Sequence, residues 1–279
     1  MRSRFLPKLI NQEVEDYLEH HDIVFVPVGV VEMHGGLSLD CETVLAEAFA
    51  LKMAEAADGL VLNNLPYFFA GATVIGRGTV QVSVREGIDY LHALAMSLHR
   101  QGFRRQIYVS FHGPAEYTVT PMVRDFFDET HAQILYLDLV KLALKVNGEM
   151  FLADSDALNN LFFGAYAILG RLEDIPLTTG PAYDFHDPGP SSVFSDAMKP
   201  YLPGVAGYYF ERKEDHAPTP AVKSREEREQ RAEQGRKLIE STIEKMDMPG
   251  IVQKMKSWGE FQQKEVFPKY EGWLPKSYK

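Results

Sequence analysis

Cysteine is nearly absent from the chain: Cys41 is the only one in 279 residues. That excludes an intramolecular disulfide and any zinc site built from several thiolates. Long apolar runs are also missing. None approaches the roughly 20 residues that span a bilayer, so no membrane partner is expected. Positive charge is in deficit, with 29 Lys plus Arg against 39 Asp plus Glu. A chain of net charge −10 lacks the clustered bases that phosphate backbones require, and no nucleic-acid partner is expected. The first 22 residues turn acidic too early for a signal peptide, so a cytoplasmic location is expected. No internal repeat, low-complexity tract or Pro/Ser linker divides the sequence. It reads as a single domain over residues 1–279, with residues 247–279 as a C-terminal arm carrying Trp258, Phe261, Phe267, Tyr270 and Trp273.

The charge that is present is unevenly placed. Residues 1–60 hold 11 acids against 4 bases, and residues 251–279 hold 3 acids against 6 bases. The acidic excess falls in the segment that also carries the most suggestive polar residues.

Apolar runs of strand length alternate with helical patterns. Residues 23–31 (IVFVPVGVV) and 105–113 (RQIYVSFHG) read as strands buried on both faces, as in a parallel sheet. Residues 60–69 and 132–140 read as further strands, and a Gly-rich loop at 71–83 leads into another short one. Residues 12–20, 43–57, 85–103, 118–131, 156–172 and 224–246 read as helices, the third ended by Gly102. This alternation predicts an α/β fold, layered α/β/α around a largely parallel sheet. Active sites in such folds lie beyond the carboxyl ends of the strands. The first strand runs there into Glu32-Met33-His34, followed by Asp40 and Glu42 before a helix, and the third into His112 and then Glu116. Alternate residues of an extended segment project the same way, so Glu32 and His34 can share a pocket. Carboxylates with imidazoles suit Zn²⁺, Mn²⁺ or Fe²⁺, one ion or a pair per chain. Arg77 and Gln81, in the Gly-rich loop, are the candidates for contact with a polar substrate. Cys41 reads as a buried filler.

The stretch VPVGVVEMHGGLSLDCETVLAEAFA resembles the creatininase family of metal-dependent amidohydrolases, whose signature is close to P-V-G-s-x-E-q-H-G-p-H-L-P-L-x-t-D-t. Pro27, Val28, Gly29, Glu32, His34 and Gly35 match it. Gly78-Thr79 is similar to the family's G-T-i-s segment. QGFRRQIYVSFHG is similar to G-f-r-k-i-v-i-v-N-g-H-G through Gly102, Phe103, Arg104, His112 and Gly113, and AEQGRKLIE to a late x-x-G-R helix. The resemblance implies a creatininase-like fold, a homohexamer and a set of metal ligands. On it, Glu32, His34 and His112 are metal ligands. Glu42 takes the place of the bridging Asp, with Asp40 competing because the loop is one residue shorter. Glu116 is the catalytic-site candidate that, on the resemblance, helps hold the second metal if the loop carries two extra residues between it and His112. His186 is the candidate catalytic histidine, with His216 as runner-up. Ser110 replaces the Asn before the histidine motif, and neither Trp258 nor Trp273 falls where tryptophans line a creatinine pocket.

The implied chemistry is a metal-activated water attacking a carbonyl of a small polar cyclic substrate and opening its ring. The departures favour an outlying branch, with C–C hydrolysis of a keto-inositol (a dehydro-inosose) in sugar catabolism as the first expectation. The alternatives are cleavage of a C–N bond in a cyclic or formyl amide, and a non-catalytic metal-binding homologue.

Overall fold

The computed structural model describes residues 1–153, 156–178, 207–213, 216 and 222–275. Four strands, β1 (Ile23–Pro27), β2 (Leu60–Val61), β3 (Arg105–Ser110) and β4 (Ile134–Asp138), form one sheet in the order β2-β1-β3-β4, all neighbours parallel. Helices α2 (Cys41–Ala57), α3 (Val84–Arg100) and α4 (Glu116–Thr130) make the crossovers, and α1 (Asn11–Leu18) precedes β1. After β4 come α5 (Leu139–Ala153), α6 (Ala157–Ile168), α7 (Arg225–Met246) and α8 (Met248–Phe261). A π turn at Gln262–Val266 then leads into the short α9 (Phe267–Tyr270).

The alternation of side chains along the central strands divides the core in two. Ile23, Phe25, Ile107 and Val109 face α2, α6, α7 and the start of α8, where Phe49, Phe163, Ile239 and Met248 are buried. Val24, Val26 and Tyr108 face α1, α3 and α4, where Tyr17, Leu91, Met122 and Phe126 are buried. Every residue of β1 is buried, which is why its sequence is a continuous apolar run and not an alternating one. Cys41 packs in the first of these two cores.

The ladder of β1 stops at Pro27, short of the expected residue 31. Beyond it Val28 and Val31 make only isolated bridges to Leu65 and Val80. The chain leaves the sheet here because Gly29 passes directly under the first turn of α2. A Cβ at Gly29 would lie 2.2 Å from Thr43 Oγ1, and that hydroxyl donates to Val30 O at 2.9 Å. The second expected strand shrinks to two residues at the sheet edge. The Gly-rich loop forms a 3₁₀ turn at Gly71–Ile75 in place of a strand.

Residues 132–140 read as one strand, but the structure breaks them at Asp138, whose Oδ1 accepts from Lys141 N at 3.1 Å and starts α5. The C-terminal arm is helical from Met248 to Tyr270. Asp247 caps α8 by accepting from Gly250 N at 3.2 Å, and Met248 and Val252 reach the core. The glycine of the x-x-G-R segment has a packing reason. A Cβ on Gly235 would stand 1.7 Å from Asn160 O, and one on Gly164 2.2 Å from the Gly235 carbonyl carbon, so only glycines let α6 and α7 approach so closely. Among the described residues, no helix is long and apolar enough to cross a membrane.

Candidate metal centre

The exits of β1 and β3 meet at the carboxyl edge of the sheet. Glu32 and His34 lie on the segment leaving β1, Glu42 on the first turn of α2, and His112 two residues past β3. All four are buried. Glu42 Oε2 stands 2.8 Å from His112 Nδ1, and Glu42 Oε1 stands 3.7 Å from His34 Nε2. Glu32 Oε1 lies 3.4 Å from His112 Nδ1 and 3.5 Å from His216 Nε2. The ring of His216 stands edge-on to His34, with centroids 5.2 Å apart.

These side chains make two triplets, Glu32–Glu42–His112 and His34–Glu42–His216, whose ligand atoms lie within 4.8 Å of one another. Glu42 belongs to both and turns one carboxylate oxygen to each. Ligand atoms about 2.1 Å from a tetrahedral ion stand roughly 3.4 Å apart, and of the three separations that lie within a triplet, 3.4 and 3.7 Å fall close to that value while the Glu42–His112 pair, at 2.8 Å, is closer. Among the described residues, Glu32 Oε1 and His216 Nε2 are buried without a hydrogen-bond partner. Leaving two such atoms unpaired is costly, and a cation held by each triplet would satisfy one of them. The donor set of carboxylates and imidazoles fits a divalent metal.

Surrounding groups orient these side chains. His112 Nε2 donates to Phe69 O at 2.9 Å, which fixes the tautomer and leaves Nδ1 facing the two carboxylates. Thr73 Oγ1 donates to Glu32 Oε2. Thr79 Oγ1 accepts from Met33 N at 3.2 Å and donates to Thr73 O at 3.1 Å, tying the Glu32–His34 segment to the 3₁₀ turn. That is the physical role of the Gly78-Thr79 pair. Burial raises the Glu42 carboxyl, but the charge of His112 and hydrogen bonds from His112 and His34 outweigh it and hold the group well below the usual carboxylate range. Burial opposes protonation of His112, yet Glu42 and Glu32 push it up to about 10.

The cluster opens into a cavity of about 630 Å³, walled by Phe69, Tyr117, Tyr208, Tyr209 and Phe210, with Gln81 and Pro114 beside them. Several expected residues lie elsewhere. Asp40 is turned away, bonded to Tyr166 Oη at 2.8 Å and to Arg171 Nη2 at 2.8 Å. Glu116 starts α4 and pairs with Lys141, whose ammonium also meets Asp138 Oδ2 at 3.1 Å. Helical geometry from residue 116 onward turns that carboxylate away from the cavity lining. Arg77 is exposed and does not line the cavity. Both tryptophans of the arm are exposed. His186, with most of the Pro-rich loop, lies outside the described residues. No sequence pattern marks Thr73, Phe69 or the tyrosine wall, since backbone carbonyls and lone hydroxyls carry none.

The profile of the creatininase family, described as creatinine amidohydrolase, matches residues 8–163, more than half of the chain. A 3-dehydro-scyllo-inosose hydrolase of Thermotoga maritima is 32% identical over 108 residues, covering 37% of this chain and 33% of that protein. The match thus spans about a third of this curated relative. Among solved structures, a mutant creatininase of zinc–zinc type aligns with TM-score 0.56 at 19% identity, covering 88% of this chain and 99% of that one. A manganese creatininase aligns with TM-score 0.55 at 19% identity over the same shares. These two likenesses establish the α/β fold.

Proposed function

This chain belongs to the creatininase family, and from that premise we propose that it is a metal-dependent hydrolase that opens the ring of a small keto-inositol by cleaving a C–C bond. The observation that carries the proposal is the pair of triplets sharing Glu42 at the floor of an aromatic cavity. Glu32, Glu42 and His112 hold one divalent ion, and His34, Glu42 and His216 hold a second. Bound there, the ions supply an acidified water and an electrophilic anchor for a carbonyl oxygen.

The protein's own contribution is arrangement. Phe69 O holds His112 in the tautomer that presents Nδ1. Thr73 fixes the rotamer of Glu32. The aromatic walls exclude bulk water and offer flat faces to a ring. In the hydrolysis of a diketone, the water oxygen bonds to one carbonyl carbon and the adjacent ring C–C bond breaks. Its electron pair passes to the carbon beside the second ketone, and a proton added at that carbon completes a ring-opened keto acid. The similarity to the 3-dehydro-scyllo-inosose hydrolase supports this choice of substrate, a carbocycle whose ring holds no C–N bond. The family's own description, creatinine amidohydrolase, favours a second reading in which a C–N bond is cleaved.

Purified protein loaded separately with Zn²⁺, Mn²⁺ or Fe²⁺ and offered a diketo-inositol or creatinine decides between them. Ring opening of the diketone releases a carboxylic acid that a pH indicator reads. Turnover of creatinine alone would move the assignment to the amidase. Less than one divalent ion per two chains after gentle purification, with no turnover of either compound, would remove the enzyme reading.

A further inference from the structure

Gln81 lines the cavity beside Glu32, Glu42 and His112. Its Oε1 accepts from Ala70 N at 3.0 Å. A backbone N–H can be met only by the amide oxygen, so this bond fixes which way the amide faces. The NH₂ group is left with no acceptor among the described residues. Its support is the same strut that orders the metal cluster. Ala70 follows Phe69, whose carbonyl holds His112 at 2.9 Å, and precedes by three the Thr73 that bonds Glu32. The amide donor is therefore held at a set position relative to both groups.

The rest of the lining narrows what that donor meets. Among the described lining residues, the only formally charged or imidazole side chains are Glu32, Glu42, His112 and His216, all members of the cluster. The remaining walls are aromatic or neutral. A charged substituent would find no counter-ion there, whereas a neutral ring can stack on Phe69 and Tyr117 and accept through oxygen.

We propose that Gln81 is the specificity-determining residue of this cavity. Its NH₂ donates to a hydroxyl or keto oxygen of an uncharged polyhydroxylated ring and discriminates against rings that present only N–H donors on that edge. This rests on the ring-opening reading above and adds the residue that selects the ring. A donor bond of this kind contributes roughly tenfold in affinity.

The test uses metal-loaded full-length protein with two probes, a diketo-inositol for turnover and unreactive myo-inositol for calorimetric binding. Gln81→Ala is expected to raise KM about tenfold with kcat within threefold, to weaken myo-inositol binding by the same factor, and to leave metal content unchanged. Gln81→Glu keeps the acceptor for Ala70 N, loses the donor, and is expected to behave alike. Wild type that binds myo-inositol but does not turn over the diketone would overturn the reaction and leave the Gln81 comparison readable in binding. Binding equal in wild type and both variants would overturn the role of Gln81. Wild type that binds neither probe would overturn the substrate class.

Discussion

Asp40 and Glu42 leave the same turn two residues apart and end in opposite surroundings. Asp40 meets Tyr166 and Arg171, and Arg171 in turn meets Asp174 at 2.7 Å, so its partners are complete. Glu42 is buried among imidazoles, next to Glu32 Oε1 and His216 Nε2, which have no hydrogen-bond partner among the described residues. One carboxylate ties the loop to α6 and the turn after it. The other sits among a second carboxylate and three imidazoles, in a donor set that fits a divalent metal. Buried polar clusters are stable when complete, so the incomplete one is where chemistry is to be sought.

The sharpest way to break this contrast is to remove a member of the incomplete cluster. Glu42→Gln keeps the shape and removes the shared charge. His34→Ala and His112→Ala each remove a donor from one triplet. All three are expected to lose most bound metal and more than about a hundredfold in activity, with the fold intact by circular dichroism. Full activity in any of them would undo the assignment of that residue.

A step outward, Thr73→Val removes the hydroxyl that bonds Glu32 while keeping the side-chain volume. Such supporting bonds are worth about 10–100-fold in metal affinity. Competition with a chelator of known affinity measures it. Unchanged affinity would mean that Glu32 is positioned by packing alone.

The same cluster predicts the direction of a pH effect. In the metal-free protein His112 carries its proton up to about 10, because Glu42 and Glu32 face it. A metal must displace that proton from Nδ1, so apparent affinity rises with pH by about tenfold per unit below that value. Both carboxylates are held below their usual range and do not compete near neutrality. Binding heats in buffers of different ionisation enthalpy should show about one proton released per His112-bound ion. A flat profile would mean that His112 is not a ligand.

Parts of this were legible in the sequence for a physical reason. β1 and β3 are buried on both faces, so their residues had to be a run of apolar side chains, and polar residues at the ends of such runs stand out. Glu32, His34 and His112 are singled out as candidate ligands that way. The resemblance puts Glu42 ahead of Asp40, but what draws Asp40 away lies more than a hundred residues further on, in Tyr166 and Arg171, and the local sequence does not encode it. Strand-like apolar character continues past residue 138, so the break into α5 depended on one capping side chain. Glu116 was misplaced because its direction follows from where α4 begins, which a motif offset does not encode. His216 enters the sequence reading only as a runner-up catalytic histidine, and it is the fold that brings it to Glu32.

The smallest effect is expected from the complete side of the comparison. Asp40→Asn removes the charge that Arg171 meets but leaves Oδ1 to accept from Tyr166. Arg171 and Asp40 are both about a third exposed, with side-chain accessibilities of 37% and 31%, so water screens the pair. Arg171 also keeps Asp174 and its place over the Tyr166 ring, 5.5 Å from the centroid. The cost should be about 1 kcal/mol or less in denaturant unfolding. Metal content should stay at the wild-type level and the dissociation constant should move less than about threefold, because Glu42 takes its position from α2, whose first turn is fixed independently through Thr43 and Val30. Loss of metal in Asp40→Asn comparable to that in Glu42→Gln would mean that the two carboxylates form one functional unit, and the division drawn between them would be wrong.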